Sequence, residues 1–322
     1  MRNPASRIGA LVALALTITV STAALAQDKV VRILVGFAPG GTADVVARLI
    51  AEKMKDSLGQ TVIVENRPGA TGRIAAEAVK NGPADGSMVT LATIGTMVVS
   101  PHAYKSNPFD TLKDFAPVSL VTNLHLAMAV ATNVPVKNVR EYFGWAKANH
   151  DKAFYATSGA GTLPHFLGLL VAKEAGVELT HVPYKGTSAY MAELTTGQIP
   201  AAFDAMGDLS EQHKAGKVRI LASAGGKRSA AMPDIPTFRD EGFNVEGSAW
   251  FGVLAPAATP KATVDRLSAA IAKAVQSPDV AAKLASLNME PVGSTPEEFA
   301  RVIAADWAKW SAIVKASGFT LE

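Results

Sequence analysis

The stretch that decides the fold is residues 30–44, which read V-V-R-I-L-V-G-F-A-P-G-G-T-A-D. The first six residues are apolar apart from Arg32, are rich in β-branched side chains and end at Gly36, and this pattern predicts a buried strand. A glycine-rich loop then leads into a segment whose apolar residues recur at helical spacing, from Val45 to Ile50. Strand, loop and helix in this order form the repeating unit of α/β folds.

The same unit recurs farther along the chain. Strands are predicted at 61–64 and 88–93 with a helical segment before each, and this βαβαβ order indicates a parallel, doubly wound sheet. Further strands are predicted at 126–132, 153–156, 179–182, 199–203, 218–222 and 250–254, and further helices at 139–148, 164–175 and in two amphipathic segments near the C-terminus. The pattern predicts two α/β units and leaves open whether they are independent domains or two lobes around a cleft.

The N-terminal residues 1–26 have the layout of a secretory signal. Arg2 and Arg7 precede an apolar run at 8–20, and Ala24-Leu25-Ala26 supplies the small residues that a signal peptidase reads. The alternative, an uncleaved membrane anchor, is disfavoured because the apolar run is short for a membrane span. We therefore expect cleavage near Ala26, a mature chain from Gln27, and a periplasmic location.

Composition narrows the class of protein further. The chain is 18% charged and 48% hydrophobic, which is typical of a compact globular protein rather than a disordered one. It has 31 basic and 28 acidic residues scattered along its length, so a nucleic-acid partner is not expected. With no cysteine, neither disulfides nor a thiolate metal site is possible.

Two loops share a composition suited to binding an anion. Residues 38–42 and 158–162 each follow a predicted strand, are rich in glycine and in small hydroxyl residues, and open a predicted helix. A helix N-terminus presents unpaired N–H groups and partial positive charge, and glycine lets a ligand approach the main chain. The alternative is that these glycines only form turns. Asp44 would repel a bound anion, so we expect it to turn aside and cap backbone.

Known catalytic patterns are missing from the sequence. It contains no H-E-x-x-H motif, and Ser158 lacks the preceding glycine of a nucleophile elbow. His165 lies close enough to Ser158 in sequence for a Ser–His pair, but a neutral histidine that donates to a ligand or caps the helix is the simpler interpretation. We expect no cofactor, no metal and no catalytic activity.

A series of short motifs resembles the Bug-type receptors, the substrate-binding components of tripartite tricarboxylate transporters. The motifs follow one another in the family's order over essentially the whole mature chain. They are G-F-A-P-G-G-T-A-D at 36–44, V-E-N-R-P-G-A at 64–70, A-D-G at 84–86, S-G-A-G-T at 158–162 with His165, H-V-P-Y-K-G at 181–186, G-K-V-R at 216–219, P-D-I-P-T at 233–237 and W-F-G at 250–252.

The resemblance implies a type II periplasmic-binding-protein fold, with two doubly wound α/β lobes around a ligand cleft. After the signal peptide at 1–26, one lobe would combine 27–123 with 249–322 and the other would span 124–248. The resemblance implies that one ligand carboxylate is held, partly through ordered water, by Gly40, Gly41, Thr42, Ser158, Gly159 and Thr162. Phe37, Pro39, His165 and Asp204 are expected beside them, with Asp204 either receiving a ligand ammonium or hydroxyl group or capping a helix.

The function that follows is a monomeric periplasmic receptor. It would capture a small carboxylate, such as a di- or tricarboxylate, an aromatic acid or an amino acid, and deliver it to the membrane components of a tripartite tricarboxylate transporter. A ligand-sensing subunit for a membrane histidine kinase remains an alternative, and a periplasmic hydrolase that uses Ser158 and His165 is a third. Closure is expected at a hinge near 126–132 and 250–254.

Overall fold

A computed structural model of the chain describes residues 30–184 and 186–322. Its strands are β1 Val31–Val35, β2 Val62–Asn66, β3 Met88–Thr93, β4 Phe115–Ala131, β5 Phe154–Thr157, β6 Thr180–Pro183, β7 Ala201–Ala205, β8 Val218–Ser223, β9 Ser248–Pro256 and β10 Met289–Pro291. Its α-helices are α1 Thr42–Leu58, α2 Arg73–Lys80, α3 Ser100–Ala103, α4 Thr111–Asp114, α5 Val139–Ala148, α6 Leu163–Ala175, α7 Thr187–Thr196, α8 Met206–Lys214, α9 Lys261–Gln276, α10 Pro278–Ser286 and α11 Pro296–Ser317. Two 3-10 turns at Ala70–Gly72 and His150–Lys152 and a π-helical turn at Gly95–Val99 complete the description.

The first α/β unit is the parallel one that the sequence predicts. Strand β1 pairs in parallel with β2 on one side and with β3 on the other. Helix α1 lies between β1 and β2 in sequence and buries Val46, Ile50 and Met54, which recur at helical spacing. The helix ends where Gly59 adopts a left-handed conformation (φ 62°) that a glycine takes without steric cost. Apolar spacing and a terminating glycine therefore explain this element.

The second unit repeats the arrangement around β5. Strand β5 pairs in parallel with β6 and β7, and helix α6 follows it directly. Strands β7 and β8 both pair with β4 in the antiparallel direction. Strands β1 and β5 each lead through a loop into a helix, and β7 leads directly into α8. The helix N-termini after these strands therefore lie at the carboxyl ends of the strands, where α/β proteins bind ligands.

The long strand β4 connects the two units. Up to His125 it pairs with β9, and from Leu126 onward it pairs with β7. We call β1, β2, β3, β9 and β10 the first strand group and β5 to β8 the second strand group. The predicted lobe boundaries at 123/124 and 248/249 lie beside this change of partner, and the division into two lobes stays a prediction.

The C-terminal region contains more structure than the sequence pattern indicated. Three helices, α9, α10 and α11, stand where two were predicted, and β10 pairs with β4. The predicted capping box opens α11, because Thr295 Oγ1 accepts from the Glu298 amide and Glu298 accepts from the Thr295 amide.

The predicted signal peptide lies outside the described residues. Across the part of the chain that the structure describes, no helix is both long enough and apolar enough to cross a membrane.

Candidate functional site

The first loop delivers the chain to the N-terminus of α1. It runs from Gly36 to Gly41, and Gly41 is the N-cap, with extended backbone (φ −74°, ψ 166°) and no side chain. Gly40 has a left-handed backbone (φ 81°), which favours glycine at that position. The first amide groups of α1 have no acceptor within the helix, as at any helix N-terminus. Both glycines are exposed, so a ligand can approach these amides closely.

Asp44 turns aside from the loop, as predicted. Its Oδ2 accepts from the Gly40 amide at 2.9 Å and from Arg48 Nε at 2.9 Å, and its Oδ1 accepts from Asn66 Nδ2 at 2.9 Å. The hydrogen bond from Arg48 is the main reason that the pKa of Asp44 falls to about 2. Because Arg48 also forms an ion pair with it at 2.9 Å, this carboxylate is neutralised and does not oppose an anion in front of α1.

The second loop leads from β5 to the N-terminus of α6. Thr162 is the N-cap, and its hydroxyl donates to the Gly159 carbonyl at 2.7 Å. The Gly161 amide donates to Nδ1 of His165 at 3.2 Å, and Gly161 has a left-handed backbone (φ 69°). These contacts fix the loop by its own side chains, and the Leu163 and His165 amides are the donors of the first turn of α6, since Pro164 has no N–H.

A buried carboxylate fastens this second loop to the neighbouring elements. Asp204, at the end of β7 and only 4% exposed, accepts from the Ser158 amide at 3.1 Å and from the Ser158 hydroxyl at 3.2 Å. It also accepts from Thr187 at 3.1 Å, from Tyr190 at 3.0 Å and from its neighbouring Ala205 amide at 2.9 Å. Burial, followed by the charge of Asp208, raises the pKa of Asp204 to about 6.

Asp208 connects the first turn of α1 with the network around Asp204. Its Oδ1 accepts from the Thr42 hydroxyl at 3.5 Å, and its Oδ2 lies 3.3 Å from the Thr187 hydroxyl, whose single hydrogen is shared between Asp204 and Asp208. Thr42 belongs to the first turn of α1, Thr187 to that of α7, and Asp208 to that of α8. Three helix N-termini therefore meet at one carboxylate. Burial raises the pKa of Asp208 as well.

Two stacked histidines support the second loop from behind. The rings of His165 and His181 lie 3.9 Å apart at an angle of 17°, and His181 Nε2 is 2.8 Å from the Thr157 hydroxyl. Burial lowers the pKa of His165 to about 3, with a smaller contribution from His181, and lowers the pKa of His181 to about 4. Both rings are therefore neutral at neutral pH.

The remaining predicted site residues have separate surroundings. The Phe37 carbonyl accepts from Asn66 at 3.1 Å, and its ring lies near Gly72, where an added Cβ would be 3.4 Å from Phe37 Cε2. Pro39 is exposed. Within residues 30–184 and 186–322, no hydrogen bond joins Phe37 to the Asp204–Asp208 network. The structure thus brings together Thr42, Ser158 and Asp204, with Gly159, Thr162 and His165 in the adjoining loop.

The geometry does not assemble the Ser–His pair. The Ser158 hydroxyl donates to Asp204, and Nδ1 of His165 accepts from the Gly161 amide. In the described residues no cluster of three or more His, Asp or Glu side chains is arranged to hold a metal ion. Hydrogen-bond donors at helix N-termini, rather than a nucleophile with its base, are what this site offers to a ligand.

Sequence reasoning missed Asp208, Thr187 and Tyr190. Asp204 ends β7 and Asp208 lies in the first turn of α8, four residues later, and this short separation is the signal that could have placed both carboxylates near one another. Thr187 and Tyr190 reach Asp204 because α7 packs beside β7, and no local pattern reports such a contact.

Comparison with known proteins identifies the family. The model of the "tripartite tricarboxylate transporter family receptor" matches residues 46–319. The chain belongs to this family. The resemblance to Bug-type receptors is therefore confirmed, and the family consists of solute-binding receptors rather than enzymes, in agreement with the expectation of no catalytic activity.

Solved structures similar to this receptor give the same fold. The periplasmic binding protein BugD is 31% identical with a TM-score of 0.81, over 91% of this chain and 99% of BugD. Rpa4515 from Rhodopseudomonas palustris, solved with adipate, is 31% identical with a TM-score of 0.83, over 90% of this chain and 97% of its own. MatC from the same organism, solved with bound malate, is 30% identical with a TM-score of 0.80, over 88% of this chain and 98% of MatC. The predicted type II periplasmic-binding-protein fold is confirmed.

Proposed function

We propose that this receptor binds a small carboxylate between the first and second loops. The observation behind the proposal is that hydrogen bonds through Asp208, Thr187 and Asp204 connect Thr42, in the first turn of α1, with Ser158, in the loop before α6. The site residues remain those predicted from the sequence: Phe37, Pro39, Gly40, Gly41, Thr42, Ser158, Gly159, Thr162, His165 and Asp204. Asp204 contributes by holding the second loop from behind, through its hydrogen bonds from Ser158.

The available donors are sufficient for useful affinity. Each hydrogen bond to a charged group contributes about 1.5–3 kcal/mol, and micromolar binding corresponds to roughly 8 kcal/mol. Three or four amides from the two helix N-termini therefore supply most of the binding free energy for one carboxylate. The helix macrodipoles add to this, because each places partial positive charge at its N-terminus.

Charge at the site restricts the rest of the ligand. Asp204 and Asp208 already place two carboxyl groups on the side of the second strand group, and no lysine or arginine among the described residues pairs with either. A second ligand carboxylate therefore points away from Asp208. The malate and adipate of the two related structures support a dicarboxylate as the first class to test.

We further propose two lobes, 27–123 with 249–322 and 124–248, that close around the ligand by bending where β4 changes partner between His125 and Leu126. Membership of the tripartite tricarboxylate transporter receptor family supports a transporter as the destination of the ligand. We propose that the receptor is exported, is monomeric and meets its membrane partners in the periplasm.

The proposal is tested by a ligand screen on the mature chain, residues 27–322. Thermal shift and calorimetry would compare malate, adipate, citrate, benzoate and glutamate with nicotinamide as a neutral control. Binding to the folded state alone raises the melting temperature, and one hundred-fold excess over Kd stabilises by about 2.7 kcal/mol. Stabilisation by one class of acid supports the proposal, whereas a response to the neutral compound alone, or to none of the acids, contradicts it.

A further inference from the structure

The last four residues, Phe319–Glu322, form a C-terminal tail that is fixed to the first α/β unit. The Leu321 amide donates to the Ala103 carbonyl at 2.7 Å, and the Lys105 amide donates to the Leu321 carbonyl at 3.0 Å. Leu321 thus forms a parallel bridge with Tyr104, in the segment that follows β3. Lys105 also forms an ion pair with Glu322. Two backbone hydrogen bonds and one ion pair give the tail a defined position.

The same tail contacts the second loop, which belongs to the other α/β unit. Leu321 packs against the Cα of Gly161 so closely that a Cβ at Gly161 would be 2.6 Å from Leu321 Cδ1 and 3.5 Å from Phe319 Cε1. The Phe319 ring meets His165 edge to face, with centroids 4.6 Å apart at 76°, and meets Phe166 at 5.7 Å and 85°. The tail is therefore a contact between the two units at the loop itself.

Phe319 touches the group that fixes the loop conformation. His165 accepts the Gly161 amide, and its ring stacks on His181, which reaches Thr157 immediately before Ser158. His165 is only 3% exposed, and Phe319 covers it on the side of the first unit. Without this ring, water would compete for Nδ1 of His165 and the Gly161 amide would lose its partner more often.

We propose that Phe319 is a positioning residue for the second loop. It holds His165 over Gly161, keeps residues 159–162 in the conformation that presents the α6 amides, and so lowers the cost of ordering the loop when a ligand binds. The proposal rests on the proposed function, because it assigns to Phe319 a role in the same carboxylate site.

The surroundings of Phe319 make the test practical. Phe319 borders a cavity of about 360 Å³ that is also lined by His102, Ser311, Val314, Lys315, Gly318 and Thr320. Phe319 is only half-buried, so its truncation removes the contact with His165 without opening a void in a filled core. We therefore expect Phe319→Ala to fold.

The test compares Phe319→Ala with Phe319→Tyr, which keeps the ring, and with Thr320→Ala, a change of an exposed neighbour in the same tail. Hydrogen–deuterium exchange of the ligand-free mature chain would report the amides of residues 158–166. Phe319→Ala should exchange there at least tenfold faster, whereas Phe319→Tyr, Thr320→Ala and the strands β1 and β7 should keep wild-type rates. Unchanged exchange in Phe319→Ala, or faster exchange spread over those strands, overturns the proposal.

A second measurement connects the loop to binding. Calorimetry with malate and with adipate should give at least tenfold weaker affinity for Phe319→Ala and wild-type affinity for the other two variants. Faster loop exchange with unchanged affinity also overturns the proposal. If neither acid binds the wild type, the proposed function fails for these ligands while the exchange experiment still decides whether Phe319 positions the loop.

Discussion

At the scale of single residues, Gly41 decides how closely a ligand approaches the N-terminus of α1. Its backbone is in the extended region, and an added Cβ would lie 3.4 Å from the Ala38 carbonyl oxygen, an ordinary contact. Gly41→Val should therefore fold, while its methyl groups occupy space in front of the α1 amides. We expect the loss of one or two charged hydrogen bonds, about 2–4 kcal/mol or at least a thirtyfold weaker Kd by calorimetry. Gly144→Val, with open space around Gly144 in α5, is the control, and equal affinities in the two variants would refute the anion loop.

Asp208 places a negative charge beside the N-terminus of α1, where the ligand is proposed to bind. Its negative charge is the second cause of the raised pKa of Asp204, and its carboxylate accepts from Thr42 in the first turn of α1. Asp208→Asn keeps the size of the side chain and removes the charge, so the pKa of Asp204 should fall below about 6 and carboxylates should bind several-fold more tightly. Carbon-13 NMR titration of the aspartates and calorimetry measure both effects. Asp234→Asn, at an exposed carboxylate, should change neither, and weaker carboxylate binding by Asp208→Asn would contradict the argument.

The same residues show why only part of the site was predictable. The two glycine loops were found because each is a continuous stretch whose composition reports its backbone geometry. The network behind them was not, because Tyr190 and Thr187 reach Asp204 only through the packing of α7 beside β7. Asp204 was expected at the site, but its five donors come from residues scattered between 158 and 205, and single-sequence reasoning has no access to such distances.

At the scale of elements, the apolar periodicity of the sequence predicted those helices and strands whose bounds depend on their own residues. Helix α5 at Val139–Ala148 and strand β3 at Met88–Thr93 have the predicted bounds, since each has a clear apolar pattern and a clear start and stop. Strand β4 begins at Phe115 rather than at 126. Its first half was not predicted, because Pro117 and an irregular register interrupt the strand pattern there, and pairing with β9 stabilises that half in the structure. The three-residue β10 exists only through its pairing with β4, so sequence alone could not reveal it.

Helix α11 provides the prediction that belongs to this scale. Its N-terminus depends on the reciprocal hydrogen bonds between Thr295 and Glu298, and the helix ends at Gly318, directly before the tail. Thr295→Ala should lower the free energy of unfolding by about 1 kcal/mol without changing ligand affinity, because the cap lies at the end of α11 remote from the tail. Urea denaturation measures the change in the free energy of unfolding, and calorimetry measures the ligand affinity. Thr320→Ala serves as the stability control, and a loss of affinity in Thr295→Ala would mean that the cap and the site are coupled.

At the scale of the whole molecule, the two buried histidine rings behind the second loop make stability depend on pH. The unfolded chain protonates histidine below an ordinary pKa of 6.5, whereas the folded chain delays protonation to a pKa of about 3 for His165 and about 4 for His181. Between pH 6.5 and 4 the unfolded state therefore binds more protons, and the free energy of unfolding falls on acidification. From pH 7 to pH 5, each histidine ring lowers the free energy of unfolding by about 2 kcal/mol. Asp204 acts in the opposite direction, because its pKa in the folded chain, about 6, lies above its ordinary value of 3.8. Over the same pH range it raises the free energy of unfolding by about 1 kcal/mol.

Together, the two rings and Asp204 lower the free energy of unfolding by about 3 kcal/mol between pH 7 and pH 5, and urea denaturation at the two pH values measures the change. Burial also lowers the pKa of His102 and His125, which act in the same direction, and raises the pKa of Asp208 and Asp306, which act in the opposite direction. His165→Asn retains an acceptor for the Gly161 amide and removes one titrating ring. This variant should be less stable at pH 7 but should show a pH difference smaller than wild type by about 2 kcal/mol. His150→Asn, at an exposed ring, should show the wild-type difference. If His165→Asn keeps the full pH dependence, then the buried stack is not its source, and other groups of the protein take up the protons.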